Sequence, residues 1–176
     1  MGDIANHFRK ILSELGENPN REGLVDTPDR VERMYKEVFT GLKQEEPEIK
    51  VFENKEEYKD MVIVKEIPFA SFCEHHFLPF IGEAHVGYIP DTHYIGLSKV
   101  ARVVDFYAKR PQIQERLTSQ VSDYLYTKLN AQGVIVIIEA EHLCMTIRGV
   151  KKPGSITTTS AIRGDIDKEE FIAILN

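Results

Sequence analysis

A chain of 176 residues, 42% of them hydrophobic, is long enough to bury one sizeable core and too short for several. Its 28 acidic against 22 basic residues leave a formal charge of −6, which excludes a broad basic surface for nucleic acid but not a local cation cluster for an anionic metabolite. Met1 to Asn6 has no basic start leading into an apolar run, and no stretch approaches the roughly 18 apolar residues of a membrane span, so a soluble cytoplasmic protein without membrane or nucleic-acid partners is expected.

In chain order, Ile4, His7, Phe8, Ile11, Leu12 and Leu15 recur at helical spacing, and Gly16 stands where a left-handed cap would end the helix. Thr27 then reads as an N-cap and Pro28 as the first residue of a second helix, whose apolar face of Val31, Met34, Tyr35, Val38 and Phe39 stops at Gly41. Residues 45–60 are charge-rich, carry Pro47 and read as a solvated connector. This predicts an N-terminal helical segment and connector over 1–60 and a second part over 61–176, together one functional unit. The pattern then turns to β, with strands over 61–67, ended by Pro68, and 83–89, ended by Pro90. Ser98 is placed to cap a helix carrying Val100, Val103, Val104 and Tyr107, and Pro111 to start another carrying Ile113, Leu117, Val121, Tyr124, Leu125 and Leu129, with Gly133 closing the pair. Val134 to Gly149 is the strongest strand signal, and Ser155 to Ile162 is its expected antiparallel partner across Pro153-Gly154. The tail from Asp165 to Asn176 is acidic and then helical. Strands and helices are segregated, which predicts an α+β fold rather than a doubly wound parallel sheet.

Cys73-Glu74-His75-His76 and His142-Leu143-Cys144 are the clusters that carry chemistry. These are the only two cysteines, and in a reducing compartment such a pair more often serves a metal or catalysis than a disulfide. Cys-x-x-His spacing lets Cys73 and His76 wrap one ion, leaving His75 for proton transfer. Two thiolates and one imidazole leave a tetrahedral zinc one place short, which distinguishes a catalytic site from a structural one with four protein ligands. Period-two alternation predicts His142, Cys144, Thr146 and Arg148 on one face of the long strand. Glu74 reads as structural support. The ordinary alternative is a buried thiol among hydrogen-bonded histidines.

Lys99 and Arg102, three apart on the first turn of a helix, outline an anion site beside free backbone N–H groups, suited to a polyphosphate. A solvated basic helix end is the bland alternative. Neither a Gly-x-x-x-x-Gly-Lys loop nor a Gly-x-Gly-x-x-Gly turn occurs, so the common nucleotide folds are not implied.

Ser71-Phe72-Cys73-Glu74-His75-His76-Phe77, Ile95-Gly96-Leu97-Ser98-Lys99, Arg110-Pro111-Gln112-Ile113-Gln114-Glu115-Arg116-Leu117-Thr118 and His142-Leu143-Cys144 together resemble the zinc type of the GTP cyclohydrolase I family, over about Ile4 to Leu175. The resemblance implies the tunnelling fold, an antiparallel sheet with paired helices on one face, assembled as a toroidal homodecamer with active sites between subunits. It implies conversion of GTP and water to formate and 7,8-dihydroneopterin triphosphate, the entry to folate or tetrahydrobiopterin biosynthesis. Carried over by residue, Cys73, His76 and Cys144 become zinc ligands, and His75 and His142 the proton-transfer pair, with Ser98 a helper in the later rearrangement. Glu115 becomes the acceptor for guanine, with Gln114 alongside, and Lys99, Arg102, Arg148 and a neighbouring subunit's equivalent of Arg30 become triphosphate ligands. His7, His85 and His93 match no catalytic position. A regulatory partner protein does not follow from the sequence. Two rivals are another pterin or purine enzyme of this fold, and a zinc-stabilised binding module in which a further donor closes the metal site.

Overall fold

The computed structural model describes residues 2–175, so Met1 and Asn176, the outer ends of the expected first and last segments, lie outside the described residues. The N-terminal apolar spacing forms α1 (Asp3–Glu14), ended beyond its cap by Gly16 at φ 83°. α2 (Thr27–Val38) begins one residue earlier than expected: Asp26 is its N-cap and Thr27-Pro28 lie inside the first turn. A preceding turn explains this, since the Thr27 N–H is already bonded to Leu24 O at 3.0 Å. Glu32, buried on α2, accepts from the Ala5 N–H at 3.0 Å and so satisfies a free donor at the start of α1.

The expected connector holds a short strand, β1 (Val51–Glu53), pinned by the Asn54 side-chain amide donating to Tyr58 O and Asp91 O. β2 (Val62–Cys73) does not stop at Pro68 but runs on to the cysteine. Pro68 is tolerated because β2 has β3 (Pro79–Ile89) on one side and little on the other, and an outward-facing proline costs an edge strand no ladder bond. The irregularity falls earlier, in a bulge between Val64 and Ile67 with Glu66 at φ 56°. β4 (His93–Ile95) pairs antiparallel with β1.

α3 (Leu97–Ala108) takes Gly96 as its N-cap, and Ser98 sits at the second helical position instead of capping. Pro111 does not start a helix. It opens β5 (Pro111–Gln112), paired parallel to Phe72 and Cys73, and α4 (Gln114–Leu129) follows, ended by Asn130 at φ 47° rather than by Gly133. Gly133 begins β6 (Gly133–His142). The long strand expected through Gly149 ends at His142 because its partner β3 runs out: Phe80 pairs with His142, one residue in from the start of β3. The chain instead turns into α5 (Leu143–Thr146), held by Thr146 Oγ1 donating to Glu141 Oε1 at 3.0 Å and to His142 O at 3.2 Å. The expected one-face alternation of His142, Cys144, Thr146 and Arg148 is therefore wrong. β7 (Ile156–Gly164) pairs antiparallel with β6 as expected, and α6 (Lys168–Leu175) closes the chain.

The main sheet has the order β5-β2-β3-β6-β7, antiparallel except for β5. α3 and α4 cover one face, where Val100, Val103, Val104, Leu117, Val121 and Leu125 join Phe69, Ala84, Val86, Val134, Val136 and Ile138 in one buried core. On the other face Phe171 of α6 packs with Ile135 and Ile137. The fold is α+β with paired helices on one face, as expected. No helix among the described residues is long and apolar enough to cross a membrane.

Gly82 sets how closely β3 approaches β6. A Cβ there would lie 1.8 Å from Glu139 O and 2.6 Å from Ala140 Cα, both backbone atoms that cannot swing away. Gly82→Ala is expected to destabilise the chain by about 1–3 kcal/mol through overpacking and to disturb the nearby Phe80–His142 pair. Urea unfolding midpoints measure the first effect, and an unchanged midpoint would show that the strands can separate freely.

Candidate active site

The end of β2 and the turn after it gather the first cluster. Cys73 N–H donates to Leu78 O at 2.9 Å, Phe77 N–H donates to Cys73 O at 2.8 Å, and Phe77 adopts φ 53°, a tight loop that folds both histidines back toward the thiol. Cys73 Sγ lies 3.7 Å from His76 Nδ1 and 3.8 Å from His75 Nδ1. Phe77 anchors the loop against Phe39 and Tyr35, with ring centroids 5.6 Å and 6.4 Å away, so α2 buttresses this turn. An apolar groove of about 470 Å³ between α1, α2 and Phe77 lies behind the loop and contains none of the cluster's donors.

α5 brings the second cysteine in. One ligand atom each from Cys73, His76 and Cys144 lie within 4.8 Å of one another. A tetrahedral zinc with the usual bond lengths would set sulfur and nitrogen ligands about 3.6 Å apart, close to the 3.7 Å between Cys73 Sγ and His76 Nδ1. Burial and the adjacent Cys73 thiol push the Cys144 thiol up, with Arg148 opposing. Two thiolates crowded together in this way call for a cation between them, so the donor set fits a divalent, thiophilic metal. Arg148 NH1 lies 2.9 Å from His76 Nε2.

His142, the last residue of β6, stands beside this group. Its ring stacks on Phe80 at 4.6 Å and 3°, and its Nε2 lies 2.7 Å from Gln114 Oε1. Burial lowers its pKa, and the Glu115 carboxylate opposes that shift, so Glu115 lies within electrostatic reach. Gln114 and Glu115 open α4, the amide buried and the carboxylate exposed. Glu74 supports the arrangement as expected: Arg116 of α4 donates to it at 2.6 Å and 3.2 Å, which clamps the histidine turn to the start of α4 and holds the Glu74 carboxyl below its ordinary value.

Cys73, His75, His76, Gln114, Glu115, His142, Cys144 and Arg148 thus converge. Ser98, Lys99 and Arg102 do not join them within one chain. The C-terminal end of α3 lies over the site end of the sheet, where Ser71, paired with Phe80, donates to Ala108 O at 2.7 Å. Its N-terminal end follows Ile95, whose N–H reaches Tyr88 at the far end of β3. The intervening helix is about 18 Å long. Arg30 is 67% exposed and pairs with Asp26 at 3.4 Å. Sequence reasoning missed the Phe80 stack and the Arg116 clamp. Arg116 had a signal in its place beside Glu115, whereas nothing about Phe80 sets it apart from other core aromatics.

This combination, a three-donor cluster that could hold a metal ion with flanking imidazoles at the end of a helix-covered antiparallel sheet, fits the enzymes of the tunnelling fold. The archaeosine synthase QueF-Like in its apo form shares the fold, with a TM-score of 0.50, 20% identity, and coverage of 61% of this chain and 96% of its own. The GTP cyclohydrolase I family pattern matches residues 4–174, and the chain belongs to that family. GTP cyclohydrolase 1 of Carboxydothermus hydrogenoformans is 62% identical over 157 residues, covering 89% of this chain and 82% of its own length. The enzyme of the same name from Pelotomaculum thermopropionicum is 62% identical over 165 residues, with coverage of 92% and 86%.

Proposed function

We propose that the chain hydrolyses GTP at C8 of the purine, releasing formate and rearranging the remainder to 7,8-dihydroneopterin triphosphate, the first committed step toward folate or tetrahydrobiopterin. The observation that carries this reading is the convergence of Cys73, His76 and Cys144 with two further imidazoles, in a chain of this family. Three protein donors, the number typical of catalytic rather than structural zinc sites, form the cluster among the described residues. When bound there, zinc supplies Lewis acidity and brings the pKa of a water molecule toward about 7.

The chain's own residues do the rest. His142 protonates the imidazole-ring nitrogen as its bond to C8 breaks, a task suited to an imidazole, which can both give and take a proton. His75, exposed beside Cys73, serves the second proton transfer, and Ser98 assists the later ribose rearrangement. Glu115 accepts from the N1–H and 2-amino group of guanine, and Gln114 lies beneath it in the same wall. Arg148, Lys99, Arg102 and Arg30 bind the triphosphate, four cations on an acidic protein.

Because Ser98 and Lys99 stand at the start of α3 and Arg102 midway along it, while the other end of the helix lies over the cluster, a complete site needs a second copy whose α3 start abuts this one. Among the described residues the outer edges of β7 and of most of β2 lack strand neighbours, and joining them edge to edge covers both. We therefore read the working form as a cytoplasmic homo-oligomer, a decamer by family, with residues 1–60 and 61–176 acting as one unit and an isolated subunit inactive.

The test incubates the purified chain with GTP or ATP and follows formate and the fluorescence of oxidised neopterin. GTP is expected to be preferred on the order of 10⁴ or more, since adenine offers no paired donor edge and would leave the Glu115 carboxylate unpaired. Equal activity on both nucleotides would remove Glu115 from the role, and absence of formate from either would end the reading.

A further inference from the structure

Gln114 is 1% exposed, and a buried primary amide must satisfy two donors and an acceptor inside the protein. Its Nε2 lies 2.9 Å from Ile138 O, 2.9 Å from Thr157 O and 3.1 Å from Thr159 Oγ1. Backbone carbonyl oxygens only accept. Turning the amide over would set its oxygen against two others, so β6 and β7 dictate an orientation that is otherwise a matter of assignment. Thr118 Oγ1 donates to Gln114 O at 2.7 Å and lies 2.6 Å from Thr159 Oγ1, which ties the same residue down from its backbone side.

The amide oxygen is thereby aimed at His142 Nε2, 2.7 Å away. A carbonyl oxygen has no proton to give, so the proton in this bond belongs to Nε2, and the lone pair of the neutral ring belongs to Nδ1. The parallel stack on Phe80 holds the ring plane. A half-turn of the ring within that plane would replace Nε2 by a carbon and forfeit the bond.

We propose that Gln114 is a positioning residue that locks His142 in the Nε2–H tautomer, so that Nδ1 is the nitrogen that exchanges protons with the substrate. The tautomer follows from the hydrogen bonds alone, while the second half rests on the function proposed above. In that step the C8–nitrogen bond breaks, its electron pair stays on nitrogen, and that nitrogen takes the proton from Nδ1, which recovers one from water. Nε2–H is retained throughout, so the bond to Gln114 persists in both charge states and the ring need not reorient between turnovers.

The experiment labels histidine with ¹⁵N in the intact assembly, metal-loaded and after chelation, at about pH 8, where an ordinary imidazole is neutral. The signals that vanish in His142→Ala are expected to show a protonated Nε2 and an unprotonated Nδ1, and an Nδ1–H form or an even mixture would overturn the proposal. Gln114→Met keeps the length and removes the amide, and is expected to mix the tautomers. It should lower kcat at least about tenfold while KM for GTP stays within about threefold and metal content is unchanged. A raised KM at unchanged kcat would mean direct contact with the base and overturn the positioning role. Should this variant fail to fold, the unmodified protein's spectrum still decides the tautomer. An unmodified chain that releases no formate from GTP would overturn the second half, and the spectrum, which needs no substrate, would still decide the first.

Discussion

Cys144→Ser is expected to leave the purified protein without its metal and to cut formate release from GTP by about 10³ or more. Losing a group that merely orients a metal ligand costs 10- to 100-fold, and Cys144 is one of the three residues proposed to hold the ion directly. The substitution removes a thiolate whose partner Cys73 is buried at the end of β2 and cannot shift to compensate. Serine is nearly isosteric, so the fold should survive, because Cys144 lies on the four-residue α5 and outside the sheet ladder. Elemental analysis of metal per chain, with circular dichroism to confirm folding, reads the result. A Cys144→Ser protein that retains one metal per chain and full turnover would show that the ion is held elsewhere.

His142→Ala separates chemistry from metal binding. It is expected to keep metal content and assembly while turnover falls by about 10² to 10⁴, the usual worth of a positioned general acid or base. A structural cost should accompany the loss. The change strips Gln114 Oε1 of its partner and opens the face of Phe80, which together should lower stability by about 1–3 kcal/mol, seen as a shifted urea midpoint. Metal loss from this variant would contradict the assigned role and make His142 part of the coordination sphere. The contrast with Cys144→Ser is informative because the two residues are neighbours on the chain yet should fail in different ways.

Much of the fold was legible because apolar periodicity reports burial directly. α1, α2, α3, α4 and the pairing of β6 with β7 all appear in the order and about the place that hydrophobic spacing gave them, although the ends of α2, α4 and β6 differ. Prolines were the weak point. Pro68 and Pro111 each signal a break or a helix start when read locally, yet both lie in strands, because β2 is nearly an edge strand and β5 forms only by docking beside it. The end of β6 was illegible for a similar reason: residues 143 to 149 have strand character, but a strand needs a partner, and β3 supplies none beyond Phe80. Gln114 shows how this reaches the site. The resemblance set it alongside Glu115 at guanine, and the folded chain surrounds its amide with Ile138, Thr157, Thr159 and His142.

The residue types and their order along the chain determined the chemistry available: two thiols, spare imidazoles, an acid for guanine and cations for phosphate, within an α+β framework. Only the tertiary structure decided which of these meet. The turn after β2 and the helical turn after β6 bring Cys73, His76 and Cys144 together across some 70 residues of chain, whereas the length of α3 keeps Ser98 and Lys99 at the far end of the sheet and Arg102 midway. The physical reason is that side-chain chemistry is local to each residue, while proximity depends on strand partners and helix lengths that no short segment encodes.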